Sequence, residues 1–172
     1  KNLRVAALAG GVFFAMVGLA YASVPLYALF CQATGFNGTT QRAAAAPDAV
    51  ADKFISVRFD ANTAASLGWN FKARQQTMKI RVGEQYMAHY SATNLTDGAL
   101  TGTAVFNVTP AEAGAYFNKI QCFCFTRQTL KPHESADLPV DFFVDPAILD
   151  DPDSKSISEI TLSYTFFPAE TN

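Results

Sequence analysis

An uncharged apolar run extends from Val5 through Leu29-Phe30, behind the basic residues Lys1 and Arg4. It exceeds the roughly 20 residues needed to cross a hydrocarbon core, where a helix satisfies every backbone group within itself. The run therefore predicts a single N-terminal transmembrane helix, and whatever folds must fold beyond it. A cleaved signal peptide is the competing reading. Such peptides also begin basic and turn apolar, and Ala20-Tyr21-Ala22 offers a cleavage site of small residues. Their apolar region spans only about 7–15 residues, whereas this one continues through Val24-Pro25-Leu26-Tyr27-Ala28. That continuation favours a retained anchor, with Tyr21 and Tyr27 suited to the membrane interface. Lys1 and Arg4 on the leading side place the N-terminus in the cytoplasm, or the matrix of a mitochondrion. Everything after Cys31 then faces the periplasm or the intermembrane space, as expected of a single-pass inner-membrane protein.

Three segments follow from this reading: an anchor over 1–31, a linker over 32–53, and one domain over 54–172. The linker is polar and rich in Gly and Ala, and reads as extended chain. Beyond it the period is two. Ile55, Val57 and Phe59 alternate with Ser56, Arg58 and Asp60, and Tyr86, Ala88 and Tyr90 with Met87, His89 and Ser91. Ile160, Leu162, Tyr164 and Phe166 alternate with Glu159, Thr161, Ser163 and Thr165. Further strands are expected through Trp69–Val82, Thr103–Thr109, Tyr116–Leu130 and Asp137–Val144, with a helical turn at Ala111–Tyr116. About seven short strands separated by Asn, Gly, Pro and Asp turns predict an all-β immunoglobulin-like β-sandwich.

Only three cysteines occur, Cys31, Cys122 and Cys124. Two of them stand in Ile120-Gln121-Cys122-Phe123-Cys124-Phe125. On an unbroken strand Cys122 and Cys124 share one face, because side chains repeat every second residue. Paired soft sulfurs suit Cu(I), and two are too few for a closed tetrahedral zinc site. The competing reading takes them as buried small hydrophobes. Burying Phe123 and Phe125 on the opposite face, at roughly 1.5–3 kcal/mol each, turns the cysteines outward toward a metal or partner. Strand-alternate geometry also places them poorly for a mutual disulfide.

The sequence resembles the cytochrome c oxidase assembly protein CtaG/Cox11 family. The likeness is carried by Val24-Pro25-Leu26-Tyr27, Leu29-Phe30-Cys31-Gln32, Thr34-Gly35-Phe36 and Gly38-Thr39-Thr40-Gln41. It continues in the Cys-Phe-Cys-Phe core, Lys131-Pro132, Leu138-Pro139-Val140 and Phe142-Phe143-Val144-Asp145-Pro146, covering essentially the whole chain. The resemblance implies a membrane-tethered copper chaperone that delivers Cu(I) to the CuB centre of cytochrome c oxidase subunit I. It implies Cys122 and Cys124 as copper ligands, Cys31 as an accessory thiol that helps load copper or manage redox state, and a copper-bridged homodimer. An upstream copper donor or thiol reductant is implied as a further partner. The chain departs from the family pattern at Thr126-Arg127, where an acidic residue is usual, at Leu138, where Met is common, and at Ala28, where a basic residue is usual.

Little else carries chemistry. His89 reads as a strand-surface residue and His133 as a turn residue, while Met78 and Met87 read as strand packing. Thirteen basic against fifteen acidic residues give no electrostatic footprint for nucleic acid. No nucleophile–base arrangement, phosphate-cradling glycine loop or paired-carboxylate cleft stands out, so no enzyme activity is expected. Two alternatives to the chaperone remain, a thiol–disulfide oxidoreductase and a structural assembly factor. The usual redox signature is CxxC at a helix start rather than CxC on a strand.

Overall fold

The computed structural model describes residues 2–34, 40–43, 45–47 and 50–169. Helix α1, Asn2–Thr34, is long and apolar enough to cross a membrane. At 1.5 Å per residue it extends about 50 Å. Its apolar side chains point outward all round, with Leu3, Phe14 and Tyr21 exposed by 86%, 73% and 79%. A helix apolar on every side needs an apolar solvent. Pro25 lies inside it and removes one i→i−4 hydrogen bond. Lys1, on which part of the orientation expectation rests, lies outside the described residues.

The remainder is a sandwich of two five-stranded sheets. One has the order β1 (Gln41–Arg42), β7 (Phe117–Cys122), β9 (Ser135–Val144), β5 (Tyr86–Asn94), β3 (Trp69–Ala73). The other has the order β4 (Thr77–Arg81), β2 (Phe54–Thr63), β10 (Glu159–Pro168), β6 (Leu100–Thr109), β8 (Gln128–Leu130). The alternating residues face each other between the sheets: Ile55, Val57 and Phe59 from β2, Ala88 and Tyr90 from β5, and the row Ile160, Leu162, Tyr164, Phe166 from β10 are all buried. Aromatic rings dominate this core. Phe71, Tyr90, Phe123, Tyr164 and Phe166 form a connected group with centroids 4.8–5.9 Å apart.

Three expectations are corrected. The stretch Trp69–Val82 is two strands: β3 pairs with β5 in one sheet and β4 with β2 in the other. The polar run Arg74-Gln75-Gln76 lets the chain cross between layers without a Gly or Pro to mark the place. Tyr116–Leu130 is likewise broken, by a 3-10 turn over Phe123–Phe125 between β7 and β8. Met87 is half exposed rather than packed, whereas Met78 does lie against the core. The expected helical turn is present as a 3-10 turn over Ala111–Ala115.

Within the segment expected as linker, Gln41 and Arg42 form β1 and pair in parallel with Asn118 and Lys119 of β7. The motif residues Gly35, Phe36, Gly38 and Thr39, with linker positions 44, 48 and 49, lie outside the described residues. Seven peptide steps separate Thr34 at the helix end from Gln41, which bounds their separation at about 25 Å. The apolar helix is thereby tethered within that reach of β1, which borders the strand that carries Cys122.

Candidate functional site

β7 carries the site, and an irregularity in it decides which side chains face the core. Its register against β9 runs Phe117↔Val144, Asn118↔Phe143 and Lys119↔Phe142, then jumps to Gln121↔Asp141 and Cys122↔Val140. Ile120 is therefore the extra residue of a β-bulge. One inserted residue exchanges the faces of everything beyond it. Phe117 and Lys119 point inward before the bulge, and Cys122 points inward after it, 5% exposed, while Gln121 faces solvent. Cys122 is thus not outward-facing, as unbroken alternation had predicted.

The strand stops at Cys122, and the 3-10 turn keeps the next residues beside it. Cys122 Sγ accepts the backbone N–H of Cys124 at 3.1 Å, and the Thr126 N–H closes the turn on the Phe123 carbonyl at 3.3 Å. The Gln128 amide also donates to the Phe123 carbonyl and to Thr126 Oγ1. Phe123 turns into the aromatic core at 7% exposure, while Cys124 and Phe125 stay half-buried. Tight winding brings the Cα atoms of Cys122 and Cys124 to 5.1 Å, and their sulfurs are joined as a disulfide. The expectation that neighbouring CxC thiols are poorly placed to bridge holds for an extended strand and fails for this turn.

Two further groups, neither singled out by the sequence reading, meet the sulfurs. The Tyr164 hydroxyl lies 3.1 Å from Cys122 Sγ and 3.7 Å from Cys124 Sγ. Burial, with Tyr90 as a second cause, pushes the Tyr164 phenol well above its ordinary pKa, so it keeps its proton and can donate. The Lys119 ammonium donates to Cys124 Sγ at 3.7 Å and lies over the face of the Phe106 ring, with Phe125 and Tyr164 alongside. Lys119 is fully buried and is the one charged side chain so placed among the described residues. Both had a signal in the sequence: Lys119 repeats two residues after Phe117 on an inward row, and Tyr164 puts a hydroxyl into an apolar row where it needs a partner.

The remaining candidates lie elsewhere. Cys31 is a free thiol in the last turns of α1. His89 contacts Asp137 at 2.9 Å, and His133, in a left-handed turn with φ 57°, contacts Asp97 at 3.0 Å. Among the described residues no cluster of three or more His, Cys, Asp or Glu converges as a metal site. Leu138, standing where a methionine is common in the resembling family, is buried in the core. Val140, from the Leu-Pro-Val motif, is the cross-strand neighbour of Cys122.

The family model for "Cytochrome c oxidase assembly protein CtaG/Cox11" matches residues 23–168. A protein of that name from Brucella anthropi is 55% identical over 170 residues, covering 99% of this chain and 84% of the relative. The Brucella suis biovar 1 protein is 54% identical over the same length, with 85% of it covered. That of Chelativorans sp. is 52% identical over 168 residues, covering 98% of this chain and 83% of the relative. Both cysteine-bearing motifs fall inside the matched span, and the chain belongs to the cytochrome c oxidase assembly protein CtaG/Cox11 family.

Proposed function

We propose that this protein is a membrane-anchored copper chaperone whose Cys122 and Cys124 carry Cu(I) to the CuB centre of cytochrome c oxidase subunit I. Copper here is cargo. The observation that carries the reading is the pair itself: a bulge and a 3-10 turn hold two sulfurs together at a sheet edge, one buried and one half-buried. Family membership supplies the oxidase as the destination. Two thiolates are a suitable donor set for Cu(I), which soft ligands select. The surrounding rings of Phe106, Phe125 and Tyr164 exclude water from one side, and the half-buried Cys124 leaves the other open for ligand exchange.

The joined state must be opened before loading. Reduction of the Cys122–Cys124 disulfide takes two electrons and two protons, supplied by a dithiol reductant that becomes a disulfide in turn. Copper then replaces the thiol protons, and transfer proceeds by stepwise substitution of donor sulfurs by the acceptor's ligands. Cys31 lies at the membrane end of a short tether to β1, beside the strand that bears the pair. It acts as a transient ligand or thiol–disulfide partner during the handover. The protein is not an enzyme in this reading. Its helix is a retained inner-membrane signal-anchor, with the sandwich on the periplasmic side, or in the intermembrane space if the source is mitochondrial.

A thiol–disulfide oxidoreductase acting on other assembly factors is the second reading, and the joined cysteines favour it. Anaerobic titration of the reduced chain distinguishes the two. The chaperone reading predicts about one Cu(I) per chain, lost in a Cys122→Ser, Cys124→Ser variant. Turnover of a dithiol or disulfide substrate with no stoichiometric copper uptake would replace it with the second reading.

A further inference from the structure

The two sulfurs of the joined pair are unequal. Cys122 is buried and belongs to the core, whereas Cys124 lies half-buried at its margin. Cys122 Sγ also has the closer donors, the Tyr164 hydroxyl and the Cys124 backbone N–H, each at 3.1 Å. A disulfide sulfur carries no hydrogen, so Tyr164 is the donor in the first of these contacts. Around Cys124 Sγ the Tyr164 hydroxyl and the Lys119 ammonium both stand at 3.7 Å. The Cys124 N–H is fixed by the 3-10 turn that Cys122 caps. The Tyr164 ring is fixed by its packing against Tyr90, Phe106 and Phe123. Both close donors are therefore in place before any bond at the sulfurs changes.

We propose that an external thiol opens the pair at Cys124, and that the Tyr164 hydroxyl stabilises Cys122 as the departing thiolate. This rests on the reading that the pair must be opened before copper loads. Thiol–disulfide exchange is a displacement in line with the S–S bond, so its rate depends on which sulfur can be reached and on how well the other leaves. Access selects Cys124. The attacking thiolate sulfur bonds to Cys124 Sγ while the Cys122–Cys124 bond breaks, and the electron pair of that bond departs on Cys122 Sγ. Hydrogen bonds to a charged acceptor are stronger than those to a neutral one. The contacts from Tyr164 and the Cys124 N–H therefore strengthen as charge develops on Cys122. The second thiol of the dithiol reductant then attacks its own sulfur in the mixed disulfide, Cys124 leaves as a thiolate, and the reductant departs oxidised. Attack at Cys122 would instead require entry into the core and departure on the sulfur whose donors are more distant. Tyr164 thus acts on a reacting sulfur directly and is no copper ligand.

The test uses the full chain in detergent, oxidised, with Cys31 blocked beforehand by N-ethylmaleimide. Glutathione is the attacking thiol, deuterated N-ethylmaleimide stops the exchange, and fragment masses show which cysteine carries each group. The proposal predicts glutathione on Cys124 and the deuterated label on Cys122, in about tenfold or greater excess over the reverse. Glutathione mainly on Cys122, comparable amounts on both, or no mixed disulfide at all overturns it. This mapping needs no substitution at the site. Tyr164→Phe keeps the ring and removes the hydroxyl, and should slow opening by about tenfold while leaving the preference for Cys124. The sign separates this role from a merely structural one, because loosened packing would expose the sulfurs and speed the attack. An unchanged or faster rate in Tyr164→Phe removes the hydroxyl from the step. Cu(I) titration of the fully reduced wild-type chain is the companion measurement: failure to bind copper would overturn the ligand assignment and leave the sulfur preference standing.

Discussion

Replacing Phe123 by Ala should be the most damaging single change near the site, although this residue is no ligand. Its ring lies 4.9–5.9 Å from those of Phe71, Tyr90, Tyr164 and Phe166. It is 7% exposed, and it anchors the 3-10 turn that returns Cys124 to Cys122. Truncating a buried Phe to Ala costs about 3–5 kcal/mol, from lost transfer energy plus the cavity left behind. With a urea m-value near 2 kcal/mol/M, the unfolding midpoint should fall by about 1.5–2.5 M. Phe125, half-buried over the site, should cost only about 1–2 kcal/mol when truncated. The assay is built in: Trp69 is the sole tryptophan and packs on Phe166 with centroids 5.1 Å apart, so its fluorescence reports the same core. Urea titration of the reduced chain in detergent compares both variants with wild type. A freed turn should also weaken Cu(I) binding in Phe123→Ala more than in Phe125→Ala. If Phe123→Ala stays within about 1 kcal/mol of wild type, or Phe125→Ala proves the costlier, the turn is not anchored as described.

Cys31→Ser should leave Cu(I) uptake by the purified chain unchanged yet block maturation of the oxidase in cells; normal CuB content in cells carrying only that variant would remove Cys31 from the handover. Loading with Cu(I) should convert monomers to dimers through the cysteine face, an isologous contact, and sedimentation giving one mass with and without copper would count against it. Asp151 accepts hydrogen bonds from the Asp153 N–H, the Ser154 hydroxyl and the Tyr116 hydroxyl, which hold its carboxyl below the ordinary 3.8. A depressed folded pKa gives stability that is present above the unfolded value and lost as pH falls through the folded one. Thermal unfolding should therefore decline in acid less steeply in Asp151→Asn than in wild type, and parallel curves would show that this turn contributes nothing.

The parts of the fold that were legible in the sequence are those governed by local period. The row Ile160, Leu162, Tyr164, Phe166 and the membrane-length run were readable because one face, or every face, is apolar without interruption. Residues 120–126 were not, for a definite reason. Alternation assumes an unbroken ladder, and the bulge at Ile120 is a relation between β7 and β9 that no window on β7 alone contains. It reverses the inferred direction of Cys122, and the 3-10 turn then lets Phe123 share the interior with it. The crossing between β3 and β4 was missed similarly, because a change of sheet leaves no Gly or Pro signal at Arg74–Gln76. The ligand candidates were visible by residue type and spacing, but Lys119 and Tyr164 become members of the site only through tertiary contact.

X-ray absorption at the copper edge of the Cu(I)-loaded, reduced chain tests the central claim most directly. The account predicts a first shell of sulfur atoms alone, lost when Cys122 and Cys124 are both replaced by Ser and retained when Cys31 is. A shell of nitrogen or oxygen scatterers, or a sulfur shell that survives the double replacement, would contradict it.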